Sequence, residues 1–216
     1  MSGHESKSVT LTFDNGPDPE VTPAVLDVLR RRGISATFFV SGERLSRFRA
    51  PAERAAAEGH WIGNHTWSHS HPFRVRGDTG FVWEEIERTQ AEIGALAHSQ
   101  RFFRPYGGGR LEGVLNQTSV DHLADGSYTC VLWNAVPGDW KDADGWPQVA
   151  LGQVEAHDWP LVVLHDIHDR AMAHLDGFIG RLLDCGCRFC QDFPDDCVPI
   201  RKGKETAAMV GPLVAD

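Results

Sequence analysis

Short strand-like runs alternate with helix-like stretches along almost all of the 216 residues. Such alternation forces a parallel α/β architecture, because each helical crossover returns the next strand in the same direction. Val9-Thr10-Leu11-Thr12-Phe13 alternates apolar and polar and reads as the first strand, broken by Asp14-Asn15-Gly16-Pro17-Asp18-Pro19. A helix follows, with Thr22 as its cap, Pro23 at its first position, Val25, Leu26 and Leu29 as its stripe, and Gly33 closing it. Further strands are expected at Ala36 to Val40, His60 to Gly63, Arg101 to Arg104, Thr129 to Trp133, Leu161 to Leu164 and Cys187 to Gln191. Helices are expected from Pro51 to Gly59, from Val114 and Leu115 onward, from Pro147 through Val154, and over Leu175, Phe178, Ile179 and Leu182. The clearest stripe is Trp83, Ile86, Gln90, Ile93 and Ala97, capped by Asp78 or Thr79. Seven strands with helices between them fit a barrel related to the (β/α)₈ family better than a doubly wound sheet, although periodicity alone does not decide between the two. No Gly-x-Gly-x-x-Gly follows the first strand, which argues against a dinucleotide fold. One domain over residues 1–216 is expected.

In a parallel barrel, chemistry gathers at the carboxyl ends of the strands. Asp14 follows the first strand, Asn64 and His65 the third, Arg104 ends the fourth, Asn134 through Asp139 follow the fifth, and His165-Asp166 the sixth. Each has an ordinary explanation taken alone. Asp-Asn-Gly is common turn chemistry, an arginine can be a surface charge, and a histidine after a buried strand can serve a backbone carbonyl. Their joint placement on one rim is the argument for a site. His65 and His69 are four apart and, on a helix, would share a face suited to a metal ion. With 11 histidines in the chain such a pair also arises by chance, and His71 adds a third ring. Seven tryptophans are many for this length; Trp67, Trp133, Trp140 and Trp146 near the rim suit sugar stacking or core filling equally.

Composition narrows the partners. Lys plus Arg number 21 against 30 Asp plus Glu, a net charge of −9, which disfavours nucleic acid and anionic membranes. Hydrophobic residues at 41% and charged residues at 24% fit an ordinary globular chain. No apolar run reaches the roughly 18 residues of a membrane span. Met1-Ser2-Gly3-His4-Glu5-Ser6-Lys7 does not read as a secretory signal. Five cysteines (Cys130, Cys185, Cys187, Cys190 and Cys197) do not suggest a secreted disulfide framework; free buried thiols in a cytoplasmic protein are expected.

Thr12-Phe13-Asp14-Asn15-Gly16-Pro17, His65-Thr66-Trp67-Ser68-His69, Arg104-Pro105-Tyr106-Gly107, Asp139-Trp140 and Leu164-His165 occur in this order. Together they resemble the five motifs of the polysaccharide deacetylase family (NodB homology, carbohydrate esterase family 4), over most of the chain. The resemblance implies an irregular (β/α) barrel. It implies Asp14 as general base, Arg104 as its partner, and His165 as general acid tuned by Asp139, with Trp140 walling the pocket. The Tyr106 backbone N–H is implied as oxyanion donor. A divalent metal, zinc with cobalt or nickel as alternatives, is implied on His65, His69 and the residue at position 15.

That residue is Asn15 where the family motif has a second aspartate. An amide offers a metal a dipole in place of a charge. Weakened binding through Asn15 is expected; His71 or Asp166 as third ligand, or a metal-free site, are the alternatives. The third motif is one residue shorter than Arg-Pro-Pro-Tyr-Gly and runs into Gly107-Gly108-Gly109. The expected function is hydrolysis of a non-peptide amide, the deacetylation of an N-acetylated carbohydrate. Hydrolysis of a small cyclic amide or ureide, and non-catalytic carbohydrate binding, are the alternatives.

Overall fold

The computed structural model describes residues 6–107, 111–209 and 214–215. Met1 to Glu5 of the amino-terminal reading, and Gly108 and Gly109 of the glycine run, lie outside the described residues. In chain order the strands are β1 (Ser8–Asp14), β2 (Thr37–Val40), β3 (Trp61–Asn64), β4 (Phe102–Phe103), β5 (Leu115–Asn116), β6 (Thr129–Cys130), β7 (Leu161–His165), β8 (Arg188–Cys190), β9 (Ile200–Arg201), β10 (Lys204–Glu205) and β11 (Val214–Ala215). The helices are α1 (Val21–Arg32), α2 (Gly42–Arg47), α3 (Arg49–Ala57), α4 (Thr79–Ile93), α5 (Gln117–Asp125), α6 (Trp146–Ala156), α7 (Asp169–Met172) and α8 (Leu175–Asp184). Among the described residues no helix is long and apolar enough to cross a membrane.

The main sheet runs β10-β9-β6-β4-β3-β2-β1-β7, with β8 added to the amino-terminal half of β1. Its six central strands are parallel, as the alternation requires, and β9 and β10 extend it antiparallel. Among the described residues no ladder closes the ring. The stretch after β6 instead returns to β7 through one isolated bridge, Ala135 to Val162, where Ala135 donates to the Leu161 carbonyl at 3.2 Å and Val163 donates to that of Ala135 at 3.0 Å. The barrel is irregular at this seam.

The period of two sorts β1 onto two faces. Val9, Leu11 and Phe13 pack with Val25, Leu26 and Leu29 of α1 and with Phe178, Ile179 and Leu182 of α8. Thr10, Thr12 and Asp14 fall on the opposite face. β7 divides in the same way: Val162 and Leu164 join the first cluster, while Leu161 and Val163 join a second one built around Phe103, Leu123 and Val131. Register then aligns the strand ends, pairing Asp14 with His165 on one side and with Phe39 on the other.

Several local expectations are corrected. α1 starts at Val21 rather than at Pro23 behind a Thr22 cap; Asp18 Oδ1 accepts from the Glu20 and Val21 N–H groups, and Thr22 lies inside the first turn. Gly33 ends α1 at φ +66, in the left-handed region that a glycine enters without strain. In α4, capped by Asp78, the buried face is Phe81, Val82, Glu85, Ile86, Thr89 and Ile93; Trp83 is 55% exposed. Val114 and Leu115 lead into the short β5, not a helix, and α5 begins at Gln117 behind the Asn116 cap. β6 stops at Cys130, short of Trp133. All five cysteines are free, with Cys130, Cys187 and Cys197 buried but Cys185 exposed at the end of α8.

Candidate active site

Arg104 takes up the carbonyls just beyond the end of β6. Its guanidinium, 0% exposed, donates from Nε to the Val131 carbonyl and from Nη2 to that of Leu132, both at 3.0 Å. The donor that the β4–β6 ladder would next aim at the Val131 carbonyl belongs to residue 105, a proline without an N–H, and the guanidinium satisfies that carbonyl instead. Nη1 donates to Thr12 Oγ1 at 2.8 Å and to Asp14 Oδ1 at 2.7 Å. The cation also lies 4.0 Å above the Phe39 ring. The polar face of β1 thus meets a buried cation, and Asp14, itself 3% exposed, is fixed at the strand end.

Next to Asp14 stands His65, in the residue after β3. Its Nδ1 lies 2.8 Å from the Arg104 carbonyl oxygen. A carbonyl only accepts, so Nδ1 carries the proton and Nε2 keeps a lone pair. Nε2 is 3.5 Å from Asp14 Oδ2. Burial drives the His65 pKa down to about 3, and burial together with the His65 ring does the same for His69, also to about 3. Both rings are neutral, as metal-binding imidazoles are. Their centroids are 4.6 Å apart.

The pair is not helical as expected. A loop brings the rings together, with Thr66 at φ +66 and His69 at φ +50. The Ser68 N–H and hydroxyl both donate to the buried Glu85 carboxylate of α4, at 3.0 and 2.7 Å, which holds the loop between the two histidines. Asn64 does structural work here, donating to the Ile86 carbonyl and accepting from the Thr66 N–H. Tyr106 packs edge-on against His69, with ring centroids 4.3 Å apart.

Across from Asp14, His165 ends β7. Its Nδ1 and its main-chain N–H face the two oxygens of Asp139 at 2.8 and 2.9 Å. Burial opposes charging this ring, but the Asp139 carboxylate outweighs it, with Asp14 and Asp166 adding to the pull, so the His165 pKa is raised. The Nδ1 bond leaves Nε2 as the free end of the ring. Trp140, 36% exposed, packs edge-on against His165 at 4.8 Å.

These groups line one cleft of about 510 Å³: Asp14, Asn15, His65, His69, Tyr106, Trp133, Trp140 and His165 share it with Pro105, Gly107, Val136, Val163 and His168. Asn15 sits at φ +73, and its Oδ1 is buried without a hydrogen-bond partner. Among the described residues no group of three His, Cys, Asp or Glu side chains is arranged to hold a metal. The Asn15 amide oxygen lines the same cleft as the two imidazoles.

The proposed alternatives for a third ligand do not line the cleft. His71 is exposed and paired with Ser70, and Asp166 is buried against Thr22. Of the four rim tryptophans, Trp133 and Trp140 line the cleft. Trp146 is core, donating to the Ala171 carbonyl, and Trp67 lies under the Arg88 guanidinium at 3.7 Å. His168 lines the cleft although sequence reasoning missed it; its place three residues after His165 is the signal that could have found it.

The profile of the family described as polysaccharide deacetylase matches residues 2–124. The chain is similar to the peptidoglycan-N-acetylglucosamine deacetylase PgdA of Listeria monocytogenes, 31% identical over 188 residues, 85% of this chain and 38% of that protein. It is also similar to a peptidoglycan-N-acetylglucosamine deacetylase of Bacillus cereus, 34% identical over 184 residues, 84% of this chain and 63% of that one. It thus spans less than two thirds of either relative. The crystal structure of the Bc1960 peptidoglycan N-acetylglucosamine deacetylase in complex with 4-naphthalen-1-yl-N-oxidanyl-benzamide superposes with a TM-score of 0.73 at 31% identity, covering 87% of this chain and 86% of that one.

Proposed function

Because the chain belongs to the polysaccharide deacetylase family, we propose that it hydrolyses the N-acetyl amide of an acetylated carbohydrate, releasing acetate and the free amine. One observation carries this reading. An arginine-held carboxylate and an aspartate-held histidine sit level on neighbouring strands and face the same cleft. A binding protein has no need of such an acid–base pair.

The residues divide the work. Asp14 accepts the proton of the attacking water, while Arg104 fixes the carboxylate's orientation. The new carbon–oxygen bond makes a tetrahedral centre whose oxyanion the main-chain N–H of Tyr106 stabilises. His165, charged through its Asp139 pairing, donates from Nε2 to the amide nitrogen as the carbon–nitrogen bond breaks. Trp133 and Trp140 offer faces for the sugar ring. His65, His69 and Asn15 fit a divalent cation, for which zinc is our assignment: two neutral imidazoles stand beside a buried amide oxygen that has no other partner. Such a cation lowers the pKa of water and polarises the carbonyl.

The test is acetate release from an N-acetylated oligosaccharide, measured with and without added zinc. Sugar affinity without turnover at any metal concentration defeats the proposal. His69→Ala is expected to abolish zinc binding measured by elemental analysis. Asn15→Asp is expected to tighten zinc binding in a chelator competition, since it adds a charge to a neutral donor set; unchanged affinity would show that residue 15 is not a ligand.

The sign of the pH dependence follows from His165. The acid works only while protonated, and its pKa is raised, so kcat falls as pH rises through a value above the ordinary 6.5. Asp139→Asn removes the anion that sustains the charge. The alkaline limb of the pH–rate profile is therefore expected to move to lower pH, and an unmoved limb would assign the proton to another group.

A further inference from the structure

We propose that Asp166 is a positioning residue for the Asn15 turn: its buried carboxyl, seated against Gly16, holds Asn15 facing the cleft. The inference rests on the reading of Asn15 as a metal ligand given above. Asp166 directly follows His165 and is 1% exposed. Its Oδ2 accepts from the Thr22 hydroxyl at 2.5 Å. That hydroxyl in turn accepts from the Asp18 N–H at 2.8 Å. A Cβ placed on Gly16 would lie 2.4 Å from both carboxyl oxygens, so the carboxyl fills the space where any other residue at position 16 would put its side chain.

The turn is pinned from the β2 side by main-chain bonds. Asn15 donates to the Phe39 carbonyl at 3.2 Å, and Ser41 donates to that of Gly16 at 3.0 Å. The Asp166 carboxyl backs Gly16 from the β7 side. Packing alone does not explain a carboxyl here. Oδ1 of Asp166 is buried without a partner, and an apolar side chain would fill the same space without that desolvation cost. Burial has also pushed the Asp166 pKa up to about 6. Two buried, unpartnered oxygens, Asn15 Oδ1 and Asp166 Oδ1, therefore belong to residues on either side of one glycine. The acid-bearing strand and the ligand-bearing turn are tied through this contact.

The experiment uses the full chain with zinc as probe, reading zinc affinity by chelator competition and kcat and KM on an N-acetylated chitooligosaccharide. Asp166→Ala is expected to weaken zinc affinity by about 10- to 100-fold and to lower kcat comparably, with KM little changed. Asp166→Asn keeps the shape and an acceptor for Thr22, and is expected to stay within about threefold of the parent in both. A purely structural residue would lower the melting temperature and leave the zinc affinity of the folded protein alone. A folded Asp166→Ala with parental zinc affinity overturns the proposal. Should that variant not fold, Thr22→Val removes the hydroxyl that seats the carboxyl and carries the same expectation, and parental affinity there overturns it equally. Zinc binding without acetate release by the parent defeats the functional reading alone; a parent that binds no zinc defeats both.

Discussion

Replacing Asp14 with asparagine is expected to lower kcat by about 10²–10⁴-fold, the range that removal of a general base produces, while zinc content stays near that of the parent. The substitution preserves shape, and the amide oxygen can still accept from Arg104 Nη1, so the strand end should keep its place. What is lost is the ability to take a proton from water. Measuring kcat and bound zinc on the same preparation separates this role from ligation. Zinc loss as complete as that of His69→Ala would make Asp14 a ligand, which its 3.5 Å approach to His65 Nε2 makes a fair test.

The largest stability effect is expected at Arg104. Arg104→Met strips the bonds to Val131, Leu132, Thr12 and Asp14 and leaves a nearly fully buried carboxylate without its cation. Breaking a buried ion pair from one side costs about 3–5 kcal/mol, enough to remove a large share of an ordinary domain's stability. Urea denaturation of the apo-protein should show that loss as a lower midpoint. Adding Asp14→Asn to Arg104→Met should restore part of it, since the uncompensated charge is then gone. Purely additive losses in that double-mutant cycle would mean that the two side chains are not energetically coupled.

Much of the frame was legible because it rests on local patterning. The alternation in Val9 to Phe13 fixed which residues face α1, and thereby put Asp14 on the other face at the strand end. The continuous apolar run before His165 marked a strand covered on both sides, as β7 is. What escaped has long-range causes. The Val131 carbonyl past the end of β6 is taken by an arginine 27 residues earlier. The meeting of His65 and His69 depends on Glu85, on a helix that reads as amphipathic with an unremarkable acidic residue. Thr22 looked like a cap because a Ser or Thr before Pro usually is one, but Asp18 took that task and the hydroxyl went to Asp166. No periodicity reports such pairings, which span 17 residues for Ser68 and Glu85, 27 for Arg104 and Val131 and 144 for Thr22 and Asp166.

The double duty of Arg104 bears on how this fold can diverge. Two of the partners of its guanidinium are main-chain carbonyls of the wall itself, so a descendant with no chemical use for the cleft would still need an arginine there to keep its shape. Asp139 is different: among the described residues both of its side-chain hydrogen bonds go to His165. In a lineage drifting toward an inert scaffold, the aspartate can be discarded early and the arginine late, so a survey of decayed copies should find position 139 varied while position 104 persists.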